Sequence, residues 1–94
     1  MTLLLKDPAA VLDYAIDWGA EYLGEGDLIA ESSWSVDPEE TEGVAVVGSD
    51  FGERLSTVQA SGGIAGRVYR LSNRVVTQSG RTDERSIVLR VEKR

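Results

Sequence analysis

The closing stretch of the chain decides its fold: Val68-Tyr69-Arg70-Leu71-Ser72-Asn73-Arg74-Val75-Val76-Thr77, then Gln78-Ser79-Gly80-Arg81, then Thr82-Asp83-Glu84-Arg85-Ser86-Ile87-Val88-Leu89-Arg90-Val91-Glu92. Tyr69, Leu71, Asn73, Val75 and Thr77 fall on one side of an extended segment, and Arg70, Ser72 and Arg74 on the other. That period of two is the signature of a half-buried strand. The glycine-containing connection supplies a turn, after which Ile87, Leu89 and Val91 alternate with Val88, Arg90 and Glu92. Two amphipathic strands joined in this way predict a hairpin, whose outward arginines also discourage edge-to-edge aggregation.

Outward from the hairpin the same period recurs. Leu12, Tyr14, Ile16 and Trp18 alternate with Asp13, Ala15, Asp17 and Gly19. A helix competes for these residues, because Asp7-Pro8 offers an N-cap with proline at the first helical position. On a helix, however, the four large apolar side chains would scatter around the axis, so a strand is preferred. Gly24-Glu25-Gly26-Asp27 then turns the chain into a second strand, in which Leu28, Ala30, Ser32, Trp34 and Val36 alternate with Ile29, Glu31, Ser33 and Ser35. Val44 to Val47 predicts a short strand that Gly48 to Gly52 breaks, Leu55 to Ala60 is extended again, and Ser61-Gly62-Gly63 turns. Leu3 to Leu5 ahead of Asp7-Pro8 predict an N-terminal arm or edge strand over residues 1–7. Three consecutive leucines cannot all face inward from a strand, so at least one is exposed or covered by a partner. The spacing of strand and turn signals is that of an all-β sandwich. With 94 residues, a division into two domains would leave each half too small for a core, so one domain over 1–94 is expected.

Composition narrows the chemistry. The chain has no cysteine and no histidine, which excludes disulfides and thiolate metal sites and removes the commonest general base. The apolar run Leu3 to Leu5 is far shorter than a membrane span or a signal-peptide core, so a soluble, intracellularly made protein with no membrane partner is expected. Charge is divided along the chain: thirteen acidic residues against one basic in 1–53, a balance of −12, and nine basic against three acidic in 54–94, a balance of +6, summing to −6. The plainer reading is that opposite charges meet across strands, each exposed pair contributing roughly 0–1 kcal/mol. A functional reading is that opposite potentials order neighbouring subunits head to tail.

The carboxylates do not assemble into a catalytic pattern. Asp13 with Asp17, or Glu39 with Glu40, could stand as an acid–base pair, but a solvated strand face and an exposed loop lack the cleft that raises a carboxylate pKa. No catalytic residue and no small-molecule substrate is expected. The loop Asp37 to Gly43 offers Asp37, Glu39, Glu40 and Glu42 as hard oxygen ligands, yet the regular spacing and glycine of a calcium loop are missing, so no metal or other cofactor is expected. Arg67, Arg70, Arg74, Arg81, Arg85 and Arg90 could form a basic stripe, but no aromatic residues interleave with them and the net charge is negative, which argues against nucleic acid. Trp18 and Trp34 are expected inside, each indole N–H reaching a backbone carbonyl. A sugar-binding module is the alternative of another class, and would need Tyr22 and Phe51 as an exposed aromatic platform.

Gly66-Arg67-Val68-Tyr69-Arg70-Leu71 resembles the opening of the penultimate strand of immunoglobulin-like sandwiches, where a tyrosine hydroxyl bonds back to the backbone at a corner. Trp34 matches their buried inter-sheet aromatic, and the missing cysteine pair leaves a disulfide-free, immunoglobulin-like or fibronectin-like plan of about seven strands. A further resemblance covers almost the whole chain: Lys6-Asp7-Pro8, Val11-Leu12-Asp13-Tyr14 with Asp17-Trp18, Ile29 to Val36 with Ser33-Trp34, Ser61-Gly62-Gly63, and Asn73-Arg74 with Gly80-Arg81-Thr82-Asp83-Glu84-Arg85-Ser86. Together these resemble small structural proteins of tailed bacteriophages, the phage fiber-tail adaptors. The resemblance implies a non-enzymatic virion component, made in the host cytoplasm and present in several copies, that contacts tail, neck or fibre subunits. Capsid decoration or head–tail completion is the alternative within the same particle. The acidic stretch Asp37 to Glu42 departs from the plainer loop expected of such proteins. The residues nominated for protein contacts are Leu3, Leu4 and Leu5, the loop residues Asp37, Glu39, Glu40 and Glu42, and the arginines Arg70, Arg74 and Arg90.

Overall fold

A computed structural model of the chain describes residues 2–21, 23 and 26–93. Among the described residues seven strands form two sheets: β1 (Thr2–Lys6), β2 (Leu12–Asp17), β3 (Ile29–Asp37), β4 (Ala45–Phe51), β5 (Leu55–Ser61), β6 (Val68–Thr77) and β7 (Thr82–Val91). One sheet runs β1-β7-β6-β3 and the other β2-β5-β4, so β1 and β3 bound the first and β2 and β4 the second. The protein is an all-β sandwich of two sheets, compatible with the immunoglobulin-like plan. A single helical turn, α1 (Trp18–Glu21), follows β2, so Trp18 and Gly19, expected to continue that strand, leave it, and Trp18 reaches the interior from the turn.

The closing hairpin matches its sequence reading. β6 and β7 pair in unbroken antiparallel register from Val68↔Arg90 to Val76↔Thr82. Residues 78–81 turn between them, with the Gly80 N–H donating to the Thr77 carbonyl. Gly80 has φ +91, a backbone conformation that glycine adopts without the Cβ strain of other residues. All of Tyr69, Leu71, Asn73, Val75 and Thr77 are buried, as are Ile87, Leu89 and Val91. Leu71, Leu89, Ile87 and Val91 pack on Val58 and Ala60 of the other sheet and on Val44, which immediately precedes β4. Burying each such aliphatic side chain contributes roughly 1.5–3 kcal/mol before conformational entropy is set against it. A second cluster, Trp18, Leu23, Ile29 and Val75, closes the other end of the sandwich, and Ile16 touches both.

Three details correct the sequence reading. In β3, Ile29 is buried and Ala30 exposed, the reverse of the alternation that would carry Ala30 inward with Trp34. A register shift between Ile29 and Glu31 explains it, because a bulge adds one residue and flips every side chain beyond it. β4 does not end at Gly48 but continues to Phe51, crossing another shift between Val46 and Gly48. Gly48 therefore marks a bulge where a strand end was expected. Finally, both indoles donate to side chains and not to backbone carbonyls, Trp18 Nε1 to Asn73 Oδ1 at 2.8 Å and Trp34 Nε1 to Ser56 Oγ at 2.9 Å.

Those two bonds belong to one chain of polar contacts through the sandwich. Asn73 Nδ2 donates to Ser32 Oγ and to the Ser33 carbonyl, both at 2.9 Å, and the Ser32 and Ser56 hydroxyls hydrogen-bond to each other at 2.7 Å. Strands β3 and β6 are thus tied to β5 across the interior. Paired polar groups of this kind fix one sheet-on-sheet arrangement, since any slip would leave buried donors without acceptors.

Candidate functional site

Register assigns each nominated strand residue to a face. Opposite partners on neighbouring strands share a face, and the inward set of β6 is known from its burial. On the outer face of the four-stranded sheet one row therefore runs Leu3, Val88, Arg70 and Asp37, and the adjacent row runs Leu5, Arg90 and Val68. Arg74 lies on the same face, between Ser33 and Glu84. Six of the nominated residues, drawn from both ends and the middle of the sequence, thus converge on one surface: Leu3, Leu5, Asp37, Arg70, Arg74 and Arg90. Leu4 faces the other way, half-buried against the core.

Leu3 is 61% exposed, Leu5 44% and Val68 53%, so this corner presents aliphatic side chains to solvent beside two guanidinium groups. Arg90 is held by Glu92 at 2.9 Å, whereas Arg70 and Arg74 make no ion pair among the described residues. An exposed apolar patch rimmed by charge is the composition of a protein-contact surface more than of a solvated face. The other sheet differs. Its outer face carries Asp13, Asp17 and Asp50, and β2, β4 and β5 contain no basic residue. The two halves of the sequence are therefore not halves of the molecule: β5 lies between β2 and β4, and the basic hairpin between β1 and β3. Arg70 stands across from Asp37 and Arg74 across from Glu84, as cross-strand charge matching requires.

The acidic loop divides by role. Glu40 turns inward, accepting a 2.6 Å bond from the Tyr69 hydroxyl and pairing with Arg67 at 3.5 Å. The same hydroxyl accepts the Ile64 N–H at 3.2 Å, which is the tyrosine corner expected from the sequence. Burial, and then the bond to Glu40, raise the Tyr69 phenol above its ordinary value of 10.0. Gly43 packs so tightly on Glu40 and Tyr69 that a Cβ there would meet Glu40 Cγ at 2.7 Å. Asp37, Glu39 and Glu42 are exposed and make no ion pair among the described residues. Between this loop and the bounding strands β3 and β4 lies an open groove of about 390 Å³, lined by Trp34 and Val36, by Val44 and Val46, and by Glu39 and Glu40.

The other arginines do not extend the stripe. Arg85 lies over the Trp18 ring at 5.1 Å, and Arg67 is bound to Glu40. Trp18 is fully buried and Trp34 hydrogen-bonded in the groove wall, while Phe51 is exposed on its own and Tyr22 lies outside the described residues. No platform of exposed aromatics supports the sugar-binding alternative among the described residues. Nor do His, Cys, Asp and Glu side chains cluster as metal ligands there, and no helix is long and apolar enough to cross a membrane.

Sequence reasoning missed Lys6. The residue is buried, and its Nζ donates to the carbonyls of Asp7 at 3.0 Å, Ala10 at 2.6 Å and Gly62 at 2.6 Å. It closes the turn after β1 onto the β5–β6 connection, and desolvation lowers its pKa despite the neighbouring Asp7. A lone lysine at the end of an apolar arm carries no signal that it is caged.

A sandwich with an exposed apolar corner flanked by arginines, and with no metal-type cluster among the described residues, fits a protein-contact role. The sequence model of the podophage GP4 fiber-tail adaptor protein gp77 family matches residues 6–90. The chain belongs to this family. Membership supports a structural adaptor role in a phage particle and confirms the resemblance seen in the sequence. No curated protein matches the chain.

Proposed function

We propose that this protein is a non-enzymatic adaptor of the virion that joins tail or neck to fibres through protein–protein contacts, docking by the outer face of its four-stranded sheet. The observation that carries the proposal is the convergence of exposed Leu3, Leu5 and Val68 with Arg70 and Arg90 on that face. Aliphatic side chains beside arginine suit the core of an interface, since arginine contributes both stacking area and charge-assisted bonds. Family membership supports this reading, since an adaptor in a phage particle needs a surface for other virion proteins. Several copies act together, and the acidic face of the three-stranded sheet gives the arginines of a neighbouring copy a surface of opposite sign. Capsid decoration and head–tail completion remain the competing locations.

The test is a phage carrying Leu3→Asp and Leu5→Asp together. Both side chains point to solvent, so the variant keeps its fold, verified by an unchanged denaturation midpoint. Particles are expected to retain heads and tails but to lose most of their fibres in electron micrographs. Full fibre occupancy would contradict the proposal.

A further inference from the structure

The groove beside the acidic loop lies between two sheet margins. Among the described residues β3 is the last strand of its sheet and β4 the last of the other, so each presents one side of its backbone without a sheet partner. The two margins are not equivalent. β4 is broken by the bulge at Val46 and Gly48, in the groove itself, and a bulge twists an edge away from pairing. β3 has its bulge at Ile29 and Glu31, remote from the groove, and keeps continuous register from Glu31 to Asp37. Its groove side is apolar, with half-buried Trp34 and Val36 facing Val44 and Val46, while Ser33 and Ser35 face outward.

We infer that β3 is a strand-addition site, which takes an extended segment of another virion protein as a fifth strand of the larger sheet. The inference rests on the adaptor reading and specifies one of its contacts. An added strand would complete the hydrogen bonds of the β3 edge, and every second side chain would enter the groove between Trp34, Val36, Val44 and Val46. Those side chains are aliphatic where they meet Trp34, Val36, Val44 and Val46, while Ser35 and the loop glutamates Glu39 and Glu40 supply the polar part of the lining. At the loop end the requirement changes. Glu39 lines the groove there, exposed and without an ion pair among the described residues, and Asp37 and Glu42 of the same loop are exposed as well, so the segment carries lysine or arginine at that end. The occupant is thus an extended peptide with aliphatic residues at alternate positions and a basic terminus. This contact is separate from the Leu3 and Leu5 corner, which lies at the opposite margin of the same sheet.

The experiment places p-benzoylphenylalanine at Ser33, Ser35 or Ala45 of the full chain in assembled particles, followed by illumination and sequencing of the cross-linked peptides. Probes at Ser33 and Ser35 are expected to reach one segment of another virion protein at positions two residues apart, as strand pairing dictates. The segment should alternate aliphatic residues and end in lysine or arginine, and the Ala45 probe, across the groove, should reach the same segment. Charge reversal by Glu39→Lys with Glu42→Lys is expected to lower the yield by about tenfold while the chain stays in the particle. Incorporated chain with no cross-link from any of the three positions would overturn the inference and leave the adaptor reading standing. Links to an acidic or helical segment, or to a second copy of this chain, would also overturn it. Absence of the chain from particles would overturn the adaptor reading and this inference with it.

Discussion

The closing hairpin β6–β7 and the margins β3 and β4 belong to one sandwich but are built differently. The hairpin pairs on both sides, β7 with β1 and β6 with β3, and the inward faces of its two strands are buried from Tyr69 to Thr77 and from Ile87 to Val91. The margins are each interrupted by a bulge, are half-buried where they face one another, and leave a groove between them. Burial saturates the hairpin, so it can serve only as scaffold on its inner side. Incomplete burial at the margins is tolerated because the polar chain through Ser32, Ser56, Trp34 and Asn73 holds β3 in place without full apolar cover.

The contrast can be broken first by removing core volume on each side. Leu89→Ala in the hairpin is expected to cost about 2–5 kcal/mol, as for other fully buried leucines, and Val46→Ala on the margin clearly less. Equal losses in urea denaturation would mean that the margin is as much a part of the core as the hairpin.

Asn73→Ala sharpens the comparison from the polar side. It leaves the Trp18 indole N–H without its acceptor and frees Ser32 and the Ser33 carbonyl, with an expected cost of about 1–3 kcal/mol. A change in tryptophan fluorescence should accompany the loss, since Trp18 is the fully buried indole. An unperturbed midpoint would show that the network does not hold β3.

The hairpin was legible because nothing interrupts its period of two, and because Gln78-Ser79-Gly80-Arg81 sits where the register needs a turn. β2 was legible for the same reason over Leu12, Tyr14 and Ile16, whereas Trp18 keeps the period in sequence but opens the helical turn α1. The bulges were not, since Leu28-Ile29-Ala30 and Val46-Val47-Gly48 keep a plausible alternation on either side of the slip. Long-range polar pairing was invisible as well: that Asn73 would meet Trp18, or Glu40 meet Tyr69, depends on how sheets stack and loops fold back. The proposed contact face was half legible, because Leu3, Leu5 and the arginines stand out by type but only strand order brings β1 beside β7.

A smaller effect concerns Tyr14, whose hydroxyl is buried without a hydrogen-bond partner among the described residues. Tyr14→Phe removes that orphan and is expected to leave stability unchanged or raise it, within about 1 kcal/mol. Burial raises the Tyr14 phenol above 10.0, and Tyr69 is raised as well. Above that value the unfolded chain loses phenolic protons that the folded chain retains, so this stability is complete below pH 10.0 and is lost as pH rises through the folded values. Lys6 acts in the opposite sense, because its lowered pKa makes the unfolded chain bind more protons just below 10.5 and stability rise with pH there. Urea midpoints followed into alkali should fall less steeply for Tyr14→Phe than for the parent. An identical slope would mean that Tyr14 ionises as freely folded as unfolded.

The most direct test of scaffold against docking edge is amide hydrogen exchange, compared between the isolated chain and the assembled particle. In the isolated chain the β6–β7 amides should exchange slowest, and the outward amides of β3 between Ser33 and Asp37 should exchange quickly. In the particle, the hairpin interior should be unchanged while β3 gains strong protection. Identical exchange of β3 in both states would contradict the account.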